Sequence, residues 1–287
     1  MKTISKKGII LNKTRKNRTT HSYVVCIPSY QRANVCKDKT LAMLKKEGIQ
    51  KDKIYVYVSC VQEKEEYEQI LDKDTYGHIV VGLPGIVPQR DFISKAWPAG
   101  QHLVLLDDDV ESVDLSLSAF KNASLHTFFN AAFKECVKSG AYMWGVYPVL
   151  NPFFRKGRPE ISHNLVYIIA AFHGIVNRPA LQSIKLKTSL SNPYKEDVER
   201  TILYYKHDGV LVRFNKIGFK TKYYGTTGGL GTFEKRMKPS LLAAKALLKA
   251  YPEYGRIVHR KTGMAEFKLF PSLHTLPNCK ELLHFVS

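Results

Sequence analysis

The feature that most limits what this chain can fold into is an apolar run that stops on three carboxylates, His102-Leu103-Val104-Leu105-Leu106-Asp107-Asp108-Asp109-Val110. Four aliphatic residues in a row fit a strand covered on both faces, as in a parallel sheet. Acidic side chains at the C-terminal end of such a strand stand where open α/β sheets take up ligands. Three adjacent carboxylates repel one another unless a cation or hydrogen-bond donors compensate. On an extended backbone Asp107 and Asp109 point to one side and Asp108 to the other. A hard divalent cation suits the first pair; a solvated acidic turn is the plain alternative. Spacing removes an EF-hand, because the sixth and twelfth positions counted from Asp107 hold Ser112 and Ser118 rather than Gly and Glu. A phosphatase with an aspartyl nucleophile usually continues with a small residue and Thr, whereas Val110 and Glu111 follow here.

The segments before this strand alternate. Tyr23–Pro28 reads as a strand, about 36–47 as a helix closed by Gly48, and Ile54–Val58 as a second strand. Glu63–Leu71 reads as a charged helix, His78–Val81 as a third strand, and Gln89–Trp97 as a helix after the loop 82–88. Strand and helix in turn with short links mean a parallel α/β sheet. After the acidic cluster, Ser124–Ser139 is an amphipathic helix with Leu125, Phe128, Phe129, Ala132, Phe133 and Val137 on one face. Strands are expected at Tyr142–Tyr147, at Leu165–Phe172 ending on His173-Gly174, at Leu211–Phe214 and at Lys220–Tyr224. Helices are expected at Glu196–Tyr205 and Ser240–Tyr251. The glycine-rich loop 225–231 lacks the P-loop pattern and reads as a lid or an ordinary turn. The fold class expected is α/β, a Rossmann-like mixed sheet flanked by helices, with a basic arm at 1–21 and one domain over 22–287.

Charge bears on the partner. Forty-four Lys and Arg against 25 Asp and Glu give +19 over 287 residues. Residues 1–20 hold seven basic side chains and no acid, and subtracting seven still leaves +12. A surplus this large favours a polyanionic partner: nucleic acid, an anionic membrane surface or a polyanionic glycan. Five scattered cysteines without a Cys-x-x-Cys fit reduced thiols in a cytoplasmic setting, with neither a disulfide framework nor a zinc site. No apolar run approaches a membrane span, and the basic N-terminus lacks the apolar core of a signal peptide.

Three places, in this order, resemble the metal-dependent GT-A type of nucleotide-sugar glycosyltransferase. They are Ile27-Pro28-Ser29-Tyr30-Gln31-Arg32 after the first strand, Gln89-Arg90-Asp91 in the helix before the acidic strand, and Leu106-Asp107-Asp108-Asp109-Val110 as an Asp-x-Asp. Glu196-Asp197 at a later helix start is a weaker match to the acidic pair that supplies a base in many inverting members. The resemblance covers about 22–205. It implies a nucleotide-sugar donor held by Pro28, Ser29, Tyr30, Arg32, Arg90, Asp107 and Asp108. It implies Mn²⁺ or Mg²⁺ on Asp107 and Asp109, which would neutralise the departing diphosphate. His259, chosen over His274, is the expected further metal ligand. Asp197 is the expected general base, with Glu196 and His173 beside it; the plainer roles are helix-start acids stabilised by the dipole and a structural histidine. UDP-glucose is the donor expected from the resembled group.

The acceptor expectation joins charge to resemblance. Basic and aromatic residues interleave at 153–158 and 216–224, which suits phosphate contacts plus stacking on a base. Arg155, Lys156, Arg158, Lys220, Lys222 and Tyr223 are the expected nucleic-acid contacts. The whole is similar to the TET/JBP-associated glycosyltransferases, proposed to act on oxidised pyrimidines in phage, viral and kinetoplastid DNA. That resemblance implies duplex DNA with 5-hydroxymethylcytosine or 5-hydroxymethyluracil as acceptor, reached in the major groove or by base flipping. A glycosyltransferase acting on a glycan, protein or lipid, a nucleotidyltransferase, and a non-catalytic nucleic-acid-binding protein are the competing readings.

Overall fold

The structure is a computed structural model that describes residues 22–221 and 232–270. The basic arm, the loop 225–231, Lys222, Tyr223 and His274 lie outside the described residues.

The chain opens with β1 (Val24–Pro28), then α1 (Ala33–Cys36), a single π-helical turn at Lys37–Leu41 and α2 (Ala42–Lys46). It continues with β2 (Ile54–Val58), α3 (Val61–Ile70), β3 (His78–Val81), α4 (Ile86–Ala96) and β4 (His102–Leu106). These four strands pair in parallel in the order β3-β2-β1-β4, as the alternation predicts. Adjacent side chains of β4 go to opposite faces: Val104 and Leu106 enter one hydrophobic layer, Leu103 and Leu105 the other. The first layer is packed by α2, α3 and α5, the second by α4, α6 and α7. Cover on both sides is why β4 needs no polar face.

The second half turns the sheet mixed. It contains β5 (Ser112–Asp114), α5 (Leu125–Ser139), β6 (Met143–Tyr147), β7 (Ile161–Ser162), β8 (Phe172–Val176), α6 (Glu196–Asp208) and β9 (Val212–Lys220). The order continues β4-β8-β6-β9-β5, with β7 also on β9. β8 is antiparallel to both β4 and β6, so β6 runs with β4 and their C-terminal ends share one edge. α7 (Phe233–Ala250) and the hairpin β10 (Gly255–His259) and β11 (Ala265–Leu269) complete the described chain.

Several expected boundaries move. The strand expected at Leu165–Phe172 begins only at Phe172, and the segment before it is irregular; His173 therefore sits inside β8. Leu211–Phe214 and the start of the next expected strand are one nine-residue strand, β9. On α5, Val137 is 73% exposed and Cys136 takes the buried position. The heptad-like spacing is right for Phe128, Phe129 and Phe133, but Val137 lies one residue beyond the stripe. Those three rings surround Trp144 with Phe172 and Phe214. Gly174 is obligatory beneath that indole, because a Cβ there would stand 2.3 Å from the ring.

Candidate active site

The C-terminal edge of β1, β4 and β6 opens into a cavity of about 1350 Å³. Its first wall is the turn after β1. Gln31 takes φ 53°, a left-handed conformation that side chains other than Gly, Asn and Asp avoid. Two residues of α3 hold the turn in that shape. Glu63 accepts the Gln31 N–H at 2.5 Å and both the N–H and hydroxyl of Ser59 at 2.7 Å. The Tyr67 hydroxyl lies 2.7 Å from Ser29 Oγ and accepts the Arg32 N–H at 3.0 Å. Pro28, Ser29, Tyr30 and Arg32 consequently line the cavity.

The acidic cluster is met by donors from three directions. Ser29 Oγ donates to Asp108 at 2.6 Å. Arg32 forks across Asp108 at 3.2 Å and Asp109 at 2.6 Å. Thr221, at the end of β9, donates to the other Asp109 oxygen. Arg90, from α4, donates to Asp107 Oδ1 at 2.7 Å and pairs with Glu196. The π-turn brings Thr40 under the cluster, where its Oγ1 donates to the Asp107 carbonyl at 2.7 Å and accepts the Val110 N–H at 2.9 Å. Alternation along a strand does not survive past Leu106: all three carboxylates border the cavity, because β4 ends there and the chain turns. Burial pushes Asp108 up to about 7 against the opposing pull of Arg32 and Ser29. Burial also raises Asp107, against Arg90.

The opposite wall comes from the start of α6. Asp197 lines the cavity, accepts the Tyr167 hydroxyl and takes the Val198 N–H at 2.9 Å. Burial raises its pKa, with Tyr167 pulling the other way, which suits a group that must accept a proton near neutrality. Glu196 is differently employed. Its carboxylate is buried between Arg90 and Arg200, the latter at 2.9 Å. Two guanidiniums on one carboxylate make it a strut between α4 and α6.

Three expected roles are corrected by position. His173 is 1% exposed, accepts no place in the cavity wall, and has Nδ1 2.9 Å from the Ala170 carbonyl. Burial, then Arg90 and Arg200, hold it well below its ordinary pKa, so it is a neutral core histidine. His259 is exposed on β10 between Val258 and Arg260, which line the cavity while it does not. Arg155 is wholly buried, paired with Asp114 and donating to the carbonyls of Leu150 and Lys216 at 2.6 Å, so it closes a loop and presents no surface to a partner. Lys156 is exposed, Arg158 lines the cavity, and Lys220 is paired with Glu111 at 2.6 Å.

The carboxylates are compatible with a divalent cation. Among the described residues no three His, Cys, Asp or Glu converge. Mg²⁺-type sites that serve phosphate substrates commonly use one or two carboxylates, with substrate oxygens and water completing the shell. Asp107 suits this, since its side chain is 35% exposed and Arg90 engages only Oδ1. Asp109 is already shared between Arg32 and Thr221. The sequence carried no sign of Tyr167, which arrives through an irregular segment, of Arg213 and Thr221, which come on or just after β9, or of Arg200, one turn along α6 from Glu196.

No family model matches the chain, and no curated protein matches it. Among solved structures it is similar to S. aureus TarS 1-349, with TM-score 0.43 and 15% identity over 79% of this chain and 65% of that one. It is similar to the mannosyltransferase PcManGT from Pyrobaculum calidifontis in complex with GDP-Man and Mn²⁺, with TM-score 0.42 and 11% identity over 81% and 64%. It is also similar to glucosyl-3-phosphoglycerate synthase from Mycobacterium tuberculosis in complex with Mn²⁺, UDP and glucosyl-3-phosphoglycerate, with TM-score 0.46 and 13% identity over 91% and 94%. The chain thus spans just under two thirds of the first of these proteins. The likeness is one of arrangement at 11–15% identity.

Proposed function

We propose that this protein is a nucleotide-sugar glycosyltransferase that moves a hexose, glucose from UDP-glucose in the first instance, to a hydroxymethylated pyrimidine of DNA. The observation that carries the transferase reading is one cavity with two unlike walls. The acidic end of β4, compensated by Arg32 and Arg90, faces the raised carboxyl of Asp197 on α6. Pro28, Ser29, Tyr30 and Arg32 would hold the nucleotide and its phosphates. Asp107 and Asp109 would hold Mn²⁺ or Mg²⁺, which supplies Lewis-acid stabilisation to the departing diphosphate. Asp197 takes the proton of the acceptor hydroxyl as that oxygen bonds the anomeric carbon. The bond from that carbon to the diphosphate breaks, and the nucleoside diphosphate leaves with the electron pair. Tyr167 keeps the base oriented, and Arg90 ties the two walls together through Asp107 and Glu196.

The DNA reading is supported by the surplus of +19 and by a local surface. Phe153 and Phe154 are 79% and 49% exposed, stacked edge to face, with exposed Lys156 and Arg158 following. Exposed rings beside cations suit an unstacked base and its phosphates. The test is mass spectrometry of nucleosides after incubation with Mn²⁺, UDP-glucose and duplex DNA containing cytosine or 5-hydroxymethylcytosine. The expected result is a hexose added to the modified nucleoside alone, and lost in Asp109→Asn. UDP release without DNA modification would overturn the DNA acceptor while keeping the transferase. Absence of metal-dependent turnover across a panel of nucleotide sugars would overturn both. Pyrophosphate release instead would mark a nucleotidyltransferase.

A further inference from the structure

Over the C-terminal end of β6, the cavity wall carries two arginines that no carboxylate among the described residues answers. Arg213, at the start of β9, is 8% exposed. Its Nε donates to Asn215 Oδ1 at 2.8 Å and its Nη1 to the Tyr167 carbonyl at 3.1 Å, both uncharged acceptors. Arg158 comes from the loop after Phe154 and donates through Nε to the Phe154 carbonyl at 2.9 Å. The two guanidiniums share one ring, Tyr147, at 4.7 and 5.2 Å from its centroid. All three residues line the cavity.

The contrast with the other arginines of the cavity wall is chemical. Arg32, Arg90 and Arg260, three of the four others, each meet a carboxylate. Arg158 and Arg213 form no ion pair with any described residue. Buried charge is ordinarily paired, because desolvation without a counter-charge is costly. Burial, and then Arg158 itself, push Arg213 down to about 10. Cation–π contact with Tyr147 offsets part of that cost, but leaves both forks with donors to spare. Planar guanidiniums suit bidentate binding of a tetrahedral oxyanion.

We propose that Arg158 and Arg213, both set against the Tyr147 ring, form an anion subsite that receives a phosphate group of the acceptor. The proposal rests on the glycosyltransferase reading and deepens it by naming the acceptor as a phosphate ester. Its place separates it from the donor. β8 lies between β4 and β6, so Tyr147 stands two strands, about 10 Å, from the end of β4. On the glycosyltransferase reading the donor diphosphate belongs at the β4 carboxylates, whereas Arg213 bonds the carbonyl of Tyr167, whose hydroxyl meets the proposed base Asp197.

Two phosphate probes test the subsite without any sugar transfer. They are a fluorescent twelve-residue oligothymidylate followed by anisotropy, and glycerol 3-phosphate followed by calorimetry. Each is titrated into the full chain and into Arg158→Gln and Arg213→Lys. Arg158 is exposed, so its variant keeps the test open even where the Arg213 change disturbs packing; thermal melts report folding. Each substitution should weaken a bound probe about tenfold, the loss of one good charge-assisted contact. Loss confined to the oligonucleotide assigns the phosphate to a polynucleotide; loss confined to glycerol 3-phosphate assigns it to a small ester; either supports the subsite. Failure of both probes to bind the native chain, or equal binding by both variants, overturns it. UDP binding with Mn²⁺ is measured in parallel. Its absence from the native chain would sink the transferase reading while the arginine-dependent phosphate binding stood.

Discussion

Arg90 is the residue whose removal best tests how the site is held together. It is 4% exposed and joins Asp107 on β4 to Glu196 on α6. Arg90→Met keeps most of the apolar volume of the side chain and deletes the charge. Removing one partner of a buried pair typically costs about 3–5 kcal/mol, because the other charge is left uncompensated. Two features place this case at the low end. Glu196 keeps Arg200 at 2.9 Å, and Asp107, with a side chain 35% exposed, can be solvated by the cavity. The expected loss is therefore about 3 kcal/mol, or a fall in Tm of about 6–12 °C for a chain of this size. Equilibrium urea unfolding measures it, provided the slope m is unchanged between variants. A double-mutant cycle with Glu196→Gln isolates the pair. Because Glu196→Gln also strips Arg200 of its carboxylate, the double variant should be less stable than Arg90→Met, but by about 1–2 kcal/mol less than the sum of the two single losses, since the Arg90–Glu196 pair is lost only once. A loss below about 1 kcal/mol, or strict additivity in the cycle, would refute the claim that this pair fastens the two walls.

Three further outcomes follow from the same geometry. Asp197→Asn should lower kcat about 10²–10⁴-fold with UDP binding retained, and Tyr167→Phe, which removes a bond that favours the Asp197 carboxylate, should move the acidic limb of the pH–rate profile to higher pH; a profile that stays in place counts against Asp197 as the base. His173 is held neutral by burial below its ordinary 6.5, so the unfolded chain takes up a proton that the folded chain refuses, and its share of stability is lost as pH falls below about 6.5, by about 1.4 kcal/mol per unit; urea midpoints at pH 7.5 and 5.5 should show a smaller difference for His173→Gln than for the native chain, and equal differences would refute the assignment. Glu63→Ala removes three bonds that hold the Ser29–Arg32 turn, with Gln31 at φ 53°, and should weaken UDP binding in the calorimeter about tenfold or more while the chain stays folded; native affinity would show that the turn keeps its shape unaided.

What the chain discloses before folding follows from the range of the forces involved. β1 to β4 and the edge on which the carboxylates stand were legible because local patterns encode them: an apolar run that must be covered on both faces, and short links that force parallel pairing. Ser29, Arg32, Arg90 and Asp107 were legible for the same reason, since each sits at a strand or helix end a few residues from an unmistakable element. The other half of the site has no such handle. Tyr167 lies in an irregular segment that apolar content alone makes look like a strand, and it meets Asp197 only after β8 has inserted between β4 and β6. Arg155 and Arg158 are three residues apart in one basic loop, and composition treats them alike. Asp114 draws the first fully inside, while the second is left facing Tyr147 and a like-charged neighbour. The sign of a charge is local information, but whether it is answered is tertiary. A basic surplus therefore points to a kind of partner well before it tells which of its cations remain available to bind one.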